Sequence, residues 1–464
     1  MRQLDSFVCG RRHAGGAPQA TLFNPTSEAS LATVSSEGID FKAVVEHARS
    51  RGGPALRGLT FGQRAGLIEQ LSKLIHGARE ELIELSIQNA GTTRGDAKFD
   101  IDGAIGTLAA YARYGAELGD RRFLFDGAGV QLGRTARFWG EHVLTPREGV
   151  AVHINAFNFP AWNMMEKAAC ALLAGAPVIE KPGTPTALTA WRIAELVSAS
   201  GILPDGAFQF ICGSVGDLLD HLGPQDGLAF TGSSATAAKL RGHPVLVRHN
   251  VRVNLEADSL NAAVLAPDLE AGSDTYNLFL ANVALDMTQK SGQKCTAVRR
   301  VLVPRGRLEE IEAELRGSLA AIKVGDPADA ATRMGPLASA AQLADVRAGI
   351  QRLAGAARTA CGGAAPIRDS GYFVAPTLLV ASDGADPVFH AEEVFGPVAT
   401  LLPYDGSAAQ AAQLVARGGG SLVTSVYSND SAFLEEAALG IAPWSGRVWL
   451  GSDKMAEQSL APGM

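Results

Sequence analysis

The spacing of apolar positions changes character along the chain. Over residues 64–89, Leu67, Ile68, Leu71, Leu74, Ile75, Leu82, Leu85 and Ile87 fall mostly three and four apart beside charged positions, which predicts an amphipathic helical layer. Residues 100–118 repeat that spacing, and a short entry strand is expected at 6–9. From Gly149 the grammar changes. Short apolar runs at 150–154, 177–180, 207–211 and 228–230 alternate with longer helical segments, which predicts βαβ units and a parallel sheet covered on both faces. The run 168–179 reads as a buried helix entering a strand, and it is too short to cross a bilayer. A second α/β block extends from about residue 254 to 440 with a helix over 308–321, and residues 134–143 read as an exposed strand or hairpin arm.

Composition narrows the class. With 464 residues and 47% hydrophobic content the chain is long enough for two or three domains with their own cores. The net charge is -7 and Lys and Arg are scattered, so no basic surplus points to nucleic acid. The first five residues place Asp5 early with no apolar run behind it, so no secretory signal is expected and the protein reads as cytoplasmic. Cys9, Cys170, Cys212, Cys295 and Cys361 are odd in number and widely spaced, which suggests neither a disulfide framework nor a metal site.

The candidate chemistry lies at strand ends and around one cysteine. A parallel sheet receives ligands at the carboxyl ends of its strands. Three of those ends carry Asn155 to Pro160, Lys181-Pro182 and Thr231-Gly232-Ser233-Ser234. The last resembles a turn opening a helix, where free N–H groups hold a pyrophosphate, although such turns often only cap helices. In residues 289–300 Cys295 follows a predicted helix among Lys290, Lys294 and Arg299, cations expected to lower the thiol pKa and so favour the nucleophilic thiolate. Taken alone, the cysteine is as well explained as a buried structural residue.

Six motifs together carry a resemblance: residues 157–160 (Phe-Asn-Phe-Pro), Lys181-Pro182, 230–233 (Phe-Thr-Gly-Ser), Leu255-Glu256, 292–295 (Gly-Gln-Lys-Cys) and 393–397 (Glu-Val-Phe-Gly-Pro). In their order and approximate spacing they resemble the aldehyde dehydrogenase superfamily. Residues 154–160, 211–214, 256–261 and 418–422 resemble more narrowly the branch that oxidises CoA-linked semialdehydes from aromatic ring opening. The resemblance implies an α/β fold with a Rossmann-type cofactor domain (1–133 and 145–255), an oligomerisation arm (134–144), an α/β catalytic domain (256–440) and a truncated C-terminal segment (441–464). It assigns Cys295 as the nucleophile that forms a thiohemiacetal with an aldehyde, and Asn158 with the Cys295 N–H as the oxyanion hole. Glu256 becomes the base that activates water against the thioester. Lys181 and Thr184 would meet the adenosine ribose, Gly232 and Ser233 the pyrophosphate, and Phe157, Glu393 and Phe395 the nicotinamide side.

The chain departs from the family pattern at Ala257-Asp258, where most members have Leu-Gly, and at Phe157, where many have Trp. Thr184 stands where NAD-preferring relatives carry an acid that would repel a 2′-phosphate, so NADP is the expected cofactor with NAD as the other possibility. Relatives are usually homo-oligomers, and the short C-terminus leads to the expectation of a monomer, a weak dimer or an aggregation-prone species. Two further readings share the same residues. One is a CoA-acylating enzyme, against which Glu256 speaks, and the other is an inactive nucleotide-binding or structural member.

Overall fold

The computed structural model describes residues 2–455. Two seven-stranded sheets organise it. The first contains β1 (Ser6–Val8), β2 (Arg11–His13), β3 (Ala151–Ile154), β4 (Val178–Lys181), β5 (Phe208–Phe210), β6 (Gly227–Thr231) and β7 (Arg252–Glu256), in the order β7-β6-β3-β4-β5-β1-β2. Strands β3 to β7 pair in parallel, and β1 and β2 add an antiparallel edge. The second sheet contains β8 (Ala262–Leu265), β9 (Arg300–Pro304), β10 (Ala357–Cys361), β11 (Thr377–Ala381), β12 (Val398–Tyr404), β13 (Ser421–Tyr427) and β14 (Ser445–Gly451). Its order is β10-β11-β12-β9-β8-β13-β14, parallel except for β10 against β11. Strand β14 falls within the segment expected from residue 441 onward, and the rest of that segment, 456–464, lies outside the described residues.

A helical layer covers the first sheet. Thr60 and Gln63 form a capping box that starts α1 (Phe61–Gly77). The chain breaks at Ala78 (φ -100, ψ 8) before α2 (Arg79–Ala90), so the single helical run expected over 64–89 is two helices. Thr93 caps α3 (Arg94–Leu118). The start of α4 (Trp162–Leu173) is satisfied from another helix: Asp100 of α3 accepts the N–H groups of Ala161 (3.2 Å) and Trp162 (2.9 Å). Ile68, Leu71, Leu108 and Leu172 bury the contact between these helices, and Ile193 and Val197 of α5 (Ala187–Ser200) join the same core. Residues 124–144 leave the body as two short hairpin pairings, 124–125 with 143–144 and 130–131 with 139–140, so the arm begins earlier than expected.

The register of the first sheet gathers the sites of interest. Ile154 lies opposite both Lys181 and Phe230, and Thr231 lies opposite Glu256, so the three sequence segments end at one edge. The N-terminal segment docks beside it. Gly213 (φ 143) has no room for a Cβ, which would lie 2.5 Å from the Ser36 nitrogen.

Candidate active site

Cys295 sits in a loop built to hold its backbone. After α7 (Asp274–Thr288) the chain makes a left-handed turn with Lys290 (φ 53, ψ 32), Ser291 (φ 55, ψ 35) and Gly292 (φ 68). Such a conformation in non-glycine residues costs on the order of 1 kcal/mol each and survives only where surroundings fix it. Here Ser291 Oγ donates to the carbonyls of Gly335 (2.8 Å) and Pro336 (3.2 Å), and Gln293 accepts from the Ala338 N–H at 3.0 Å. Gly292 abuts the Gly396 carbonyl, where a Cβ would lie 2.1 Å away. Asn261 Nδ2 donates to the carbonyls of Cys295 (2.7 Å) and Ala297 (2.9 Å).

The expectation that nearby cations depress the thiol pKa is overturned. Burial pushes the Cys295 thiol up to about 12, and the charges of Glu256 and Glu166 push in the same direction, with Lys294 opposing them. Lys294 and Arg299 are also engaged by other groups. The Lys294 ammonium pairs with Asp286 and donates to Gln289, and Arg299 donates to the carbonyls of Gly396 (2.8 Å) and Gly292 (2.9 Å) while facing Glu393. Lys290 is buried, its Nζ 4.2 Å from the Phe159 ring centroid and without a hydrogen-bond partner, held in the field of Asp100 and Asp96.

Glu256, the last residue of β7, therefore lies within electrostatic reach of Cys295. Glu166 does too, and sequence reasoning passed over it. Its carboxyl is raised by burial, lowered by Lys167 at 3.5 Å, and raised again by Glu256. The available signal was that Glu166 and Lys167 are the only charged residues in α4. Asn158 is buried just before that helix, and its Oδ1 accepts from Asn163 Nδ2 at 3.4 Å, which sets which end of the amide faces which way. Phe157 meets Phe395 edge to face with centroids 5.8 Å apart. Glu393 accepts the Ser259 N–H at 3.1 Å, and burial raises its carboxyl against the lowering charge of Arg299.

Lys181 and Thr184 border a separate cavity of about 610 Å³, together with Ile154, Gly213, Val215, Phe230 and Leu240. The Lys181 Nζ lies 3.4 Å from Thr184 Oγ1, and burial lowers the pKa of this amine. Polar groups at the rim of an apolar hollow, at the carboxyl ends of parallel strands, suit the adenosine half of a dinucleotide. Ser35, Ser36 and Glu37 also line the cavity, a contribution from the N-terminus that the spacing of motifs did not signal. Gly232 and Ser233 lie past the end of β6. The Gly232 N–H donates to the Glu256 carbonyl at 3.1 Å, and Ser233 caps α6 (Ser234–Arg241). Glu256 thus connects the cysteine side of the edge to this turn.

The family model described as "Aldehyde dehydrogenase family" matches residues 13–462. The chain is 46% identical over 453 residues to the 3,4-dehydroadipyl-CoA semialdehyde dehydrogenase of Aromatoleum evansii, covering 96% of this chain and 88% of that one. Among solved structures, lactaldehyde dehydrogenase from Escherichia coli superposes with a TM-score of 0.85 at 23% identity, over 97% of this chain and 91% of the other. Aldehyde dehydrogenase C from Pseudomonas syringae, in complex with NAD+ and octanal, superposes with a TM-score of 0.84 at 26% identity, over 99% of this chain and 90% of the other.

Proposed function

This chain belongs to the aldehyde dehydrogenase family and carries out NAD(P)-dependent aldehyde oxidation, and from that premise we propose that it converts a CoA-linked semialdehyde to the corresponding acid, with NADP preferred over NAD. The substrate class is supported by the 46% identity to a relative whose name specifies a CoA-linked semialdehyde. Residues 2–123 and 145–255 are read as the dinucleotide-binding unit, 124–144 as the arm and 256–440 as the catalytic unit.

The mechanism is supported by Glu256, at the carboxyl end of β7, lying within electrostatic reach of Cys295, and by Asn158 lining a small pocket with Lys290, Ser291 and Gln293 of the cysteine loop. The bound dinucleotide supplies the hydride acceptor. Cys295 Sγ bonds to the aldehyde carbon as its proton passes to water and the C=O π pair moves onto the oxygen, giving the thiohemiacetal anion. Asn158 Nδ2 and the Cys295 N–H hold the oxygen where negative charge develops, and donors fixed before the reaction need no rearrangement to do so. Loss of hydride leaves a thioester on Cys295. Glu256 then takes a proton from water as that water attacks the thioester carbon, releasing the acid and restoring the thiol. Lys181, Thr184, Gly232 and Ser233 position the adenosine and pyrophosphate, and Phe157, Glu393 and Phe395 the nicotinamide ribose and ring.

If Glu256 serves deacylation, Glu256→Gln gives a burst of reduced cofactor near one equivalent per site and then a slow steady rate, lowered about 10²- to 10⁴-fold. The burst leaves a mass increase on the Cys295 peptide, and Cys295→Ala removes burst and adduct together. Free CoA tests the acylating reading. If CoA restores fast turnover to Glu256→Gln and the parent releases acyl-CoA, water is not the acceptor.

A further inference from the structure

The unusual Ala257-Asp258 pair has a place in the structure that the catalytic cycle leaves unused. Asp258 is exposed, two residues beyond Glu256, and its Oδ1 accepts the N–H of Ser234 at 3.1 Å. Ser234 is the first residue of α6. The adjacent Ser233 hydroxyl already accepts the Thr236 N–H, at 3.4 Å, and the Gly232 N–H is turned back to the Glu256 carbonyl. Asp258 therefore occupies a donor at the positive end of α6, beside the turn that the preceding section assigns to the pyrophosphate.

Two anions cannot share that donor. The helix end favours whichever negative group is placed on it, and like charges brought to hydrogen-bond distance repel strongly with little water between them. Nor does the carboxylate lie far from the rest of the site, since its charge reaches Glu393, which accepts the N–H of the next residue, Ser259. We propose that Asp258 gates the diphosphate position: in the free chain its carboxylate holds the Ser234 N–H, and dinucleotide binding displaces it. The inference rests on the assignment of Gly232 and Ser233 to the pyrophosphate. Its consequence is weaker dinucleotide affinity and faster release of the reduced cofactor than a neutral residue would give.

The test is dinucleotide binding to the full chain, by titration calorimetry, for the parent, Asp258→Asn and Asp258→Ala. Asn keeps an oxygen acceptor for Ser234 and removes the charge, whereas Ala removes both. Both variants are expected to bind NADP+ roughly fivefold tighter than the parent. Adenosine 2′-monophosphate, which lacks the diphosphate, should bind all three equally. Unchanged or weaker NADP+ binding in the variants overturns the gate alone, as does equal tightening of adenosine 2′-monophosphate, which would mark a general charge effect. A parent that binds neither NADP+ nor NAD+ overturns the pyrophosphate assignment and the gate with it.

Discussion

A cysteine whose thiol burial has pushed up to about 12 is a poor nucleophile until its surroundings change. Glu256 and Glu166 both raise it, so removing either charge lowers the thiol pKa and increases the thiolate fraction at a given pH. In the ligand-free protein, Glu256→Gln should therefore be alkylated faster by iodoacetamide at pH 8 than the parent, even though it turns over more slowly. An unchanged or higher midpoint in the pH dependence of alkylation would show that Glu256 does not act on the thiol. The proposed NADP preference can also be tested at a single residue. Thr184→Glu sets a carboxylate beside Lys181, at the cavity where a 2′-phosphate would sit, and should cut kcat/KM with NADP roughly tenfold or more while sparing NAD. A parent with clear NAD preference would contradict the reading. At this scale the sequence showed which residues to name but not what surrounds them. Cys295, Asn158 and Glu256 stood out by their motifs, whereas Lys294 meets Asp286 only because the chain turns back on its preceding helix, and Glu393, the partner of Arg299, comes from a segment 94 residues later.

Among elements, the contact most open to test is the one by which α3 starts α4. Asp100 is fully buried and accepts two N–H groups at the head of the helix that follows Asn158. Asp100→Ala strands those donors and should lower stability by about 1–3 kcal/mol in urea titration. Asp100→Asn retains an acceptor and should lose less. Equal losses would mean that the carboxylate's charge, rather than its hydrogen bonds, matters. The periodicity of apolar residues marked most of these elements, because α1, α3 and α4 each bury one face. It did not reveal the break at Ala78, since alanine is a good helix former and nothing local forbids continuation. The early start of the arm was equally hidden, because its first pairing is two residues long.

For the whole molecule, the arm carries the plainest prediction. Phe125, Val130, Leu132, Phe138 and Trp139 are each at least half exposed, a stripe of large apolar side chains along two thin hairpins. Self-association is the expected result. Light scattering should show a mass that rises with concentration, and Phe125→Ser with Trp139→Ser should shift it toward the monomer. A parent that stays monomeric at high concentration would show that the stripe is not an interface between copies. The two-sheet plan was legible from the alternation of strand and helix patterns after Gly149. The antiparallel edge was not, because β1 and β2 precede their neighbour β5 by about two hundred residues.

That edge has a consequence in time. Phe7 pairs with Phe210, and Ser6 Oγ accepts the Cys212 N–H at 2.9 Å, so β1 has its neighbour among residues translated some two hundred positions later. Until then the nascent chain carries Phe7 and Val8, both buried in the finished protein, without their cover. Closing so long a loop costs only slowly growing entropy, but it cannot begin before the partner has emerged. Ribosome-bound chains stalled before residue 208 should consequently display the N-terminal segment to proteases and chaperones, and those stalled well past 256 should hide it.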